Sequence, residues 1–196
     1  LPDSFFSGLS TFLVDIALPF YLFTKIVSTD RSVLLGSWIF PLAALSFVGL
    51  GLFFGFLVFR FTSFRRVEKR AGIALSTFGN TAYLPLTFME LFPLTLPVIT
   101  EKFGSSAPVL YIGIYVLFQI PLLWSVGYSF ITGSTGGFSL KKVFNPPILS
   151  ILLAFLFVAS DFNGFLLDKD LFVHYIYSGI QTIGSTTFPL ILISIG

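Results

Sequence analysis

Residues 74–86 read Ala-Leu-Ser-Thr-Phe-Gly-Asn-Thr-Ala-Tyr-Leu-Pro-Leu, and they hold the polar groups best placed to do chemistry in this chain. Asn80, Thr81 and Tyr83 lie between Gly79 and Pro85 inside an otherwise apolar stretch. A proline within a helix removes one backbone donor and crowds the preceding turn. In hydrocarbon the carbonyls so released must find partners or line a cavity. A helix that restarts beyond such a break presents free N–H groups and the positive end of its dipole, which favour an anionic group. One reading is solute binding, with Asn80, Thr81, Tyr83 and Pro85 as the candidate substrate contacts. The plainer alternative is a packed proline kink with Asn80 bonded to a neighbouring helix.

Asp15 is the acidic residue that falls well inside an apolar stretch, one turn before Pro19. A carboxylate at a helix centre costs on the order of 2.5–3.5 kcal/mol on insertion scales, so it is usually kept for a partner, a cavity or proton coupling. We read Asp15 as the candidate proton-coupling residue. The alternative sets it in a water-filled vestibule or against a basic residue of another helix. His174 reads as an interfacial residue, Gly51 and Gly55 as a close-packing GxxxG pair, and Trp38 and Tyr111 as aromatic residues near span ends.

Covalent chemistry finds no footing. Cysteine is absent, which removes disulfides, thiolate metal sites and cysteine nucleophiles. One histidine makes no zinc cluster, and neither HExxH nor GxSxG occurs. The glycines of Gly133-Ser134-Thr135-Gly136-Gly137 are not followed by Lys-Ser/Thr, so this is a connector rather than a phosphate loop. The expectation is a non-enzyme with no cofactor and no metal.

The elements that must position these residues follow from composition. Of 196 residues 55% are hydrophobic and 10% charged, against about a quarter charged in a soluble domain. Such a chain needs the bilayer as its solvent. Apolar stretches at 4–24, 33–59, 71–89, 107–132, 144–160 and 171–196 approach or exceed the roughly 20 residues that cross a membrane as a helix. The expected fold is all-α, a polytopic transmembrane bundle. Arg60, Arg65, Arg66, Lys69 and Arg70 fall between the second and third stretches, and Lys141 and Lys142 between the fourth and fifth. If all six stretches cross, one side holds seven of the eleven basic residues, and the positive-inside rule makes that side, with the Arg60–Arg70 loop, cytoplasmic. The net charge of +2 is scattered over loops, so no nucleic-acid partner is expected.

Aligning Pro19 with Pro189 superposes residues 16–23 on residues 186–193. Helices five apart cross in opposite directions, so this short echo is what an inverted-topology repeat would leave in a sequence.

The 74–86 segment, Ala17-Leu18-Pro19 after Gly8-Leu9-Ser10, Phe144-Asn145-Pro146-Pro147-Ile148, and Ile183-Gly184 through Phe188-Pro189-Leu190 to Ile193-Ser194-Ile195-Gly196 together resemble the auxin efflux carrier family, in its order. The resemblance runs over nearly the whole chain. It implies ten helices in two inverted five-helix repeats with broken helices crossing at the centre. On that implication residues 1–132 are a first repeat lacking its first helix, 133–143 a cytoplasmic linker, and 144–196 the first two helices of a second repeat. The chain, without an initial methionine and ending within an apolar run, is expected to be a fragment. Here Pro85 follows Asn80 by five residues, where many members have seven, so substrate preference does not carry over in detail. The implied function is secondary transport of a small organic, anionic solute by alternating access. Alternatives are an ion-coupled symporter or exchanger of a related inverted-repeat fold, or a non-transporting membrane subunit or enzyme. The expected partners are the solute, the lipid bilayer and a second copy in a homodimer.

Overall fold

Long uninterrupted apolar runs have nothing to pair their backbone groups with in hydrocarbon except themselves, so they coil into helices. The computed structural model describes residues 3–80, 83–104, 107–132 and 144–195, which are helix and connecting turns with no strand among them. Four helices are long and apolar enough to cross a bilayer, namely α1 (Ser4–Val27), α2 (Arg31–Arg60), α6 (Ala107–Thr132) and the run Phe172–Ile193. Between them lie α3 (Arg66–Thr77), α4 (Tyr83–Thr95), α5 (Pro97–Phe103), α7 (Pro146–Ala159) and α8 (Asn163–Leu167). The last run is divided by a turn at Thr186 into α9 (Phe172–Ser185) and α10 (Thr187–Ile195). The chain is thus a multi-pass integral membrane protein.

The expectation of six spans is modified in two places. The 71–89 stretch is two half-helices, α3 and α4, because Gly79 and Pro85 do not sustain one continuous helix. The 144–160 stretch gives a helix of 14 residues, about 21 Å long at 1.5 Å per residue, against a hydrocarbon core of about 30 Å. Its start is fixed by Asn145, whose Oδ1 accepts the Ile148 N–H at 3.1 Å, and by Pro146 and Pro147, which have no N–H to leave unpaired.

Side-chain pairings give the relative directions of α1, α2, α6, α7 and α9. Phe23 meets Phe157 of α7, and Asn163 Nδ2 at the start of α8 donates to the Val27 carbonyl at 3.1 Å, so α1 runs parallel to the chain from α7 into α8. The Tyr177 hydroxyl donates to the Thr24 carbonyl at 3.1 Å while Gly184 lies on the backbone of Phe20 and Tyr21, so α9 runs antiparallel to α1. Phe40 stacks on Tyr111 and Phe47 meets Tyr115, so α2 and α6 are parallel. Each pairing agrees with strict alternation of the six apolar stretches.

The core gathers around α1, whose Leu18, Leu22, Ile26 and Val27 pack with Leu110 and Ile114 of α6, Ile148 and Ile151 of α7 and Tyr177 of α9. Lipid is as apolar as these side chains, so close packing rather than water exclusion holds the helices together. The Gly51–Gly55 pair shows this. A Cβ at Gly51 would lie 2.8 Å from the Thr77 Cα, and one at Gly55 would lie 2.6 Å from the Ser76 Oγ. The GxxxG reading holds, and its effect is to press the end of α3 onto α2. The outer faces remain apolar, with Phe47, Phe53 and Phe172 among the exposed rings.

His174 is half-buried, its Nδ1 3.2 Å from the Leu166 carbonyl, so it ties the α8–α9 loop together. Trp38 is 67% exposed at a turn near the start of α2, as an interfacial aromatic residue would be.

Candidate functional site

At the end of α3, Ser76 and Thr77 both turn their hydroxyls back to the Ile73 carbonyl, at 2.9 and 2.7 Å. The Phe78 N–H makes a last bond to the Ala74 carbonyl, and Phe78 itself leaves helical geometry with φ −111° and ψ 82°. The helix restarts at Tyr83. Pro85 then stands third in α4, within the first turn, where N–H groups have no intrahelical acceptor and a proline forfeits nothing. Had the helix run on from Thr77, the same proline would have deprived the Thr81 carbonyl of its donor. Asn80 bridges the gap, because its Oδ1 accepts the Leu84 N–H at 3.3 Å and caps α4.

This break opens into a groove of about 810 Å³, bounded by α2, the end of α3, the start of α4 and the first half of α6. That volume lies within the range of small-molecule sites, about 300–1,000 Å³. The walls are largely aromatic, formed by Phe40, Phe47 and Phe54 of α2 with Tyr111 and Tyr115 of α6. The Phe40 and Tyr111 rings stack with centroids 4.4 Å apart at 13°. Ser76, Thr77, Asn80 and the two tyrosines supply its polar groups, and no lining residue carries a formal charge. With Oδ1 engaged on α4, Asn80 keeps its Nδ2 donor without a partner among the described residues.

Of the four substrate contacts read from the sequence, Asn80 and Pro85 line this groove together. Thr81 lies outside the described residues, as does the 133–143 linker, and Tyr83 is the first residue of α4. Asp15 is not among the lining residues. It occupies a π-helical turn, Leu13–Ala17, in which the Leu18 N–H bonds to the Leu13 carbonyl. Pro19 has no N–H for the Asp15 carbonyl four residues earlier, and such π-turns often mark functional places. Its side chain is exposed and has no ion-pair partner among the described residues. A second π-helical turn, Leu123–Gly127, lies in α6, where the proline, Pro121, precedes the turn rather than following it.

Sequence reasoning missed the groove walls. Tyr111 is a wall residue stacked on Phe40, which the sequence alone leaves looking like an interfacial ring. Thr187, at the α9–α10 turn, was also missed. Its hydroxyl is buried without a hydrogen-bond partner among the described residues, beside Tyr21 and Leu86, where α10 meets α1 and α4.

A family model described as a membrane transport protein matches residues 1–140. No curated protein and no solved structure matches the chain.

Proposed function

The chain belongs to the membrane transport protein family, that of the auxin efflux carriers, and on that premise we propose that it is part of a secondary carrier which moves a small organic anion by alternating access and binds it at the α3–α4 break. The observation that carries this reading is the meeting of Asn80 and Pro85 at the open end of α4 on one aromatic groove. A neutral groove lined with rings suits the apolar body of an organic acid. The acid's charge would be met by the Asn80 Nδ2 and by the N–H groups of the first turn of α4. This favours a monocarboxylate with an aromatic or aliphatic body over a short dicarboxylate, which would bring two charges to a groove without a cation.

The antiparallel passage of α9 and α10 across α1 supports an inverted-repeat arrangement around the two proline helices. The side bearing Arg60–Arg70 is proposed to be cytoplasmic. Asp15, at the middle of α1 and without an ion-pair partner among the described residues, is proposed to take up the coupling proton.

The test is uptake into proteoliposomes by the full-length carrier. A labelled aromatic monocarboxylate is expected to enter saturably, faster under an imposed pH gradient, and a short dicarboxylate to compete poorly. The Asp15→Asn variant is expected to retain binding but lose the response to the gradient. Uptake of Asp15→Asn that follows pH as the parent does would remove the coupling role. No saturable uptake of any acid under any gradient would remove the carrier reading.

A further inference from the structure

A second groove, of about 360 Å³, lies where the end of α2, the start of α3 and the end of α6 converge. Its two halves differ in chemistry. Phe56, Phe59 and Phe130 make an apolar floor, and Arg66, Lys69 and Arg70, with Arg60 beside them, make a cationic rim. Lys69 and Arg70 are half-buried. None of these four cations has a carboxylate partner among the described residues. The one nearby acid, Glu68, accepts the Arg65 backbone N–H through its Oε2 at 2.8 Å, which holds it at the start of α3. Four cations around one groove repel one another, and partial burial of two of them raises that cost unless an anion joins them.

The position decides what kind of anion. Phe56 and Phe59 belong to the last turns of a membrane-crossing helix and Phe130 to the last turn of another, so the floor is continuous with the lipid-facing surface and the rim sits at its edge. We propose that this groove binds an anionic phospholipid of the surrounding bilayer, its phosphate on Arg66, Lys69 and Arg70 and an acyl chain along Phe56, Phe59 and Phe130. Basic pockets between membrane helices are suited to phosphorylated lipid headgroups, and guanidinium groups take phosphate oxygens in pairs. The bound lipid would fasten the start of α3 to α2 and α6, in a groove that shares Phe59 with the one at the break. The proposal rests on the membrane fold and the charges alone, and stands or falls apart from the transport reading.

The experiment uses the complete chain in detergent and reads lipid binding by native mass spectrometry with phosphatidylglycerol, phosphatidylcholine, or inorganic phosphate alone. Phosphatidylglycerol is expected to bind about tenfold tighter than phosphatidylcholine, and Lys69→Gln with Arg70→Gln to abolish the difference. Lys169→Gln, on a distant loop, is expected to leave it intact. Inorganic phosphate competing as well as the lipid would mean a soluble phosphate site and overturn the lipid assignment. Equal binding of the two lipids by the parent chain would overturn the proposal outright. Should the double variant not fold, amide exchange in the parent decides. Slower exchange over residues 66–73 in phosphatidylglycerol than in phosphatidylcholine is the expected result, and no difference contradicts it.

Discussion

Replacing Gly184 by valine is expected to lower the melting temperature sharply or to prevent assembly of the bundle. A Cβ at Gly184 would stand 2.7 Å from the Tyr21 nitrogen, 2.9 Å from the Tyr21 Cα and 3.0 Å from the Phe20 carbonyl carbon. All three are backbone atoms of the central helix, so no rotamer change relieves the clash and α9 must move off α1. Overpacking a close contact costs about 1–3 kcal/mol and sometimes more, and here the Tyr177–Thr24 hydrogen bond is strained by the same displacement. We place the effect at or above the upper end of that range. Thermal unfolding in detergent, followed by size-exclusion recovery, measures it. Gly179 is the control, since nothing lies within 4 Å of a Cβ there. Gly179→Ala is expected to be neutral or slightly stabilising, because alanine is the better helix former by up to about 1 kcal/mol. Equal behaviour of the two variants would show that the helices do not cross at Gly184.

The second large effect concerns the solute. Asn80→Ala is expected to reduce uptake at subsaturating solute by about ten- to a hundredfold. A hydrogen bond to a charged group is worth about 1.5–3 kcal/mol, and each 1.4 kcal/mol is a factor of ten. Alanine also removes the cap on Leu84, so the result needs a partner variant. Asn80→Asp keeps a side-chain oxygen to accept the Leu84 N–H and improves the match to the α4 dipole. It loses the Nδ2 donor and adds a negative charge where the anion would sit. Loss of uptake with full stability in Asn80→Asp assigns the effect to the solute. Normal uptake in Asn80→Asp would reduce Asn80 to a cap.

The parts of this molecule that the sequence discloses are those with local causes. Apolar runs in hydrocarbon have to be helical, and loop charges mark their ends, so the alternation of directions later seen in the Tyr177–Thr24 and Phe40–Tyr111 pairings could be anticipated. The break was legible as well, because Gly79, Asn80 and Pro85 act on the backbone within a single turn. The groove was not. Its walls come from α2 and α6, more than sixty residues apart at Phe47 and Tyr115, and phenylalanine is too common here, at 27 copies, to mark any one ring. The interruption at Thr186 was half visible. Pro189 announces a disturbed helix, yet nothing local says that Thr187 will be buried against α1 and α4. The Asp15 turn shows the same division. Pro19 predicts a disturbed backbone upstream, while the π-turn it produces is a detail of packing.

Absence of cysteine makes the central claim directly testable. In a Ser76→Cys variant the new thiol is the only one in this chain, at the mouth of the break and on the groove wall. The measurement is the rate at which a membrane-impermeant maleimide labels it in proteoliposomes that transport an organic acid, with and without that acid. Binding at the break predicts labelling that slows as the acid saturates uptake, with the same half-saturating concentration. Labelling that ignores the acid while uptake saturates would move the solute site away from the α3–α4 break.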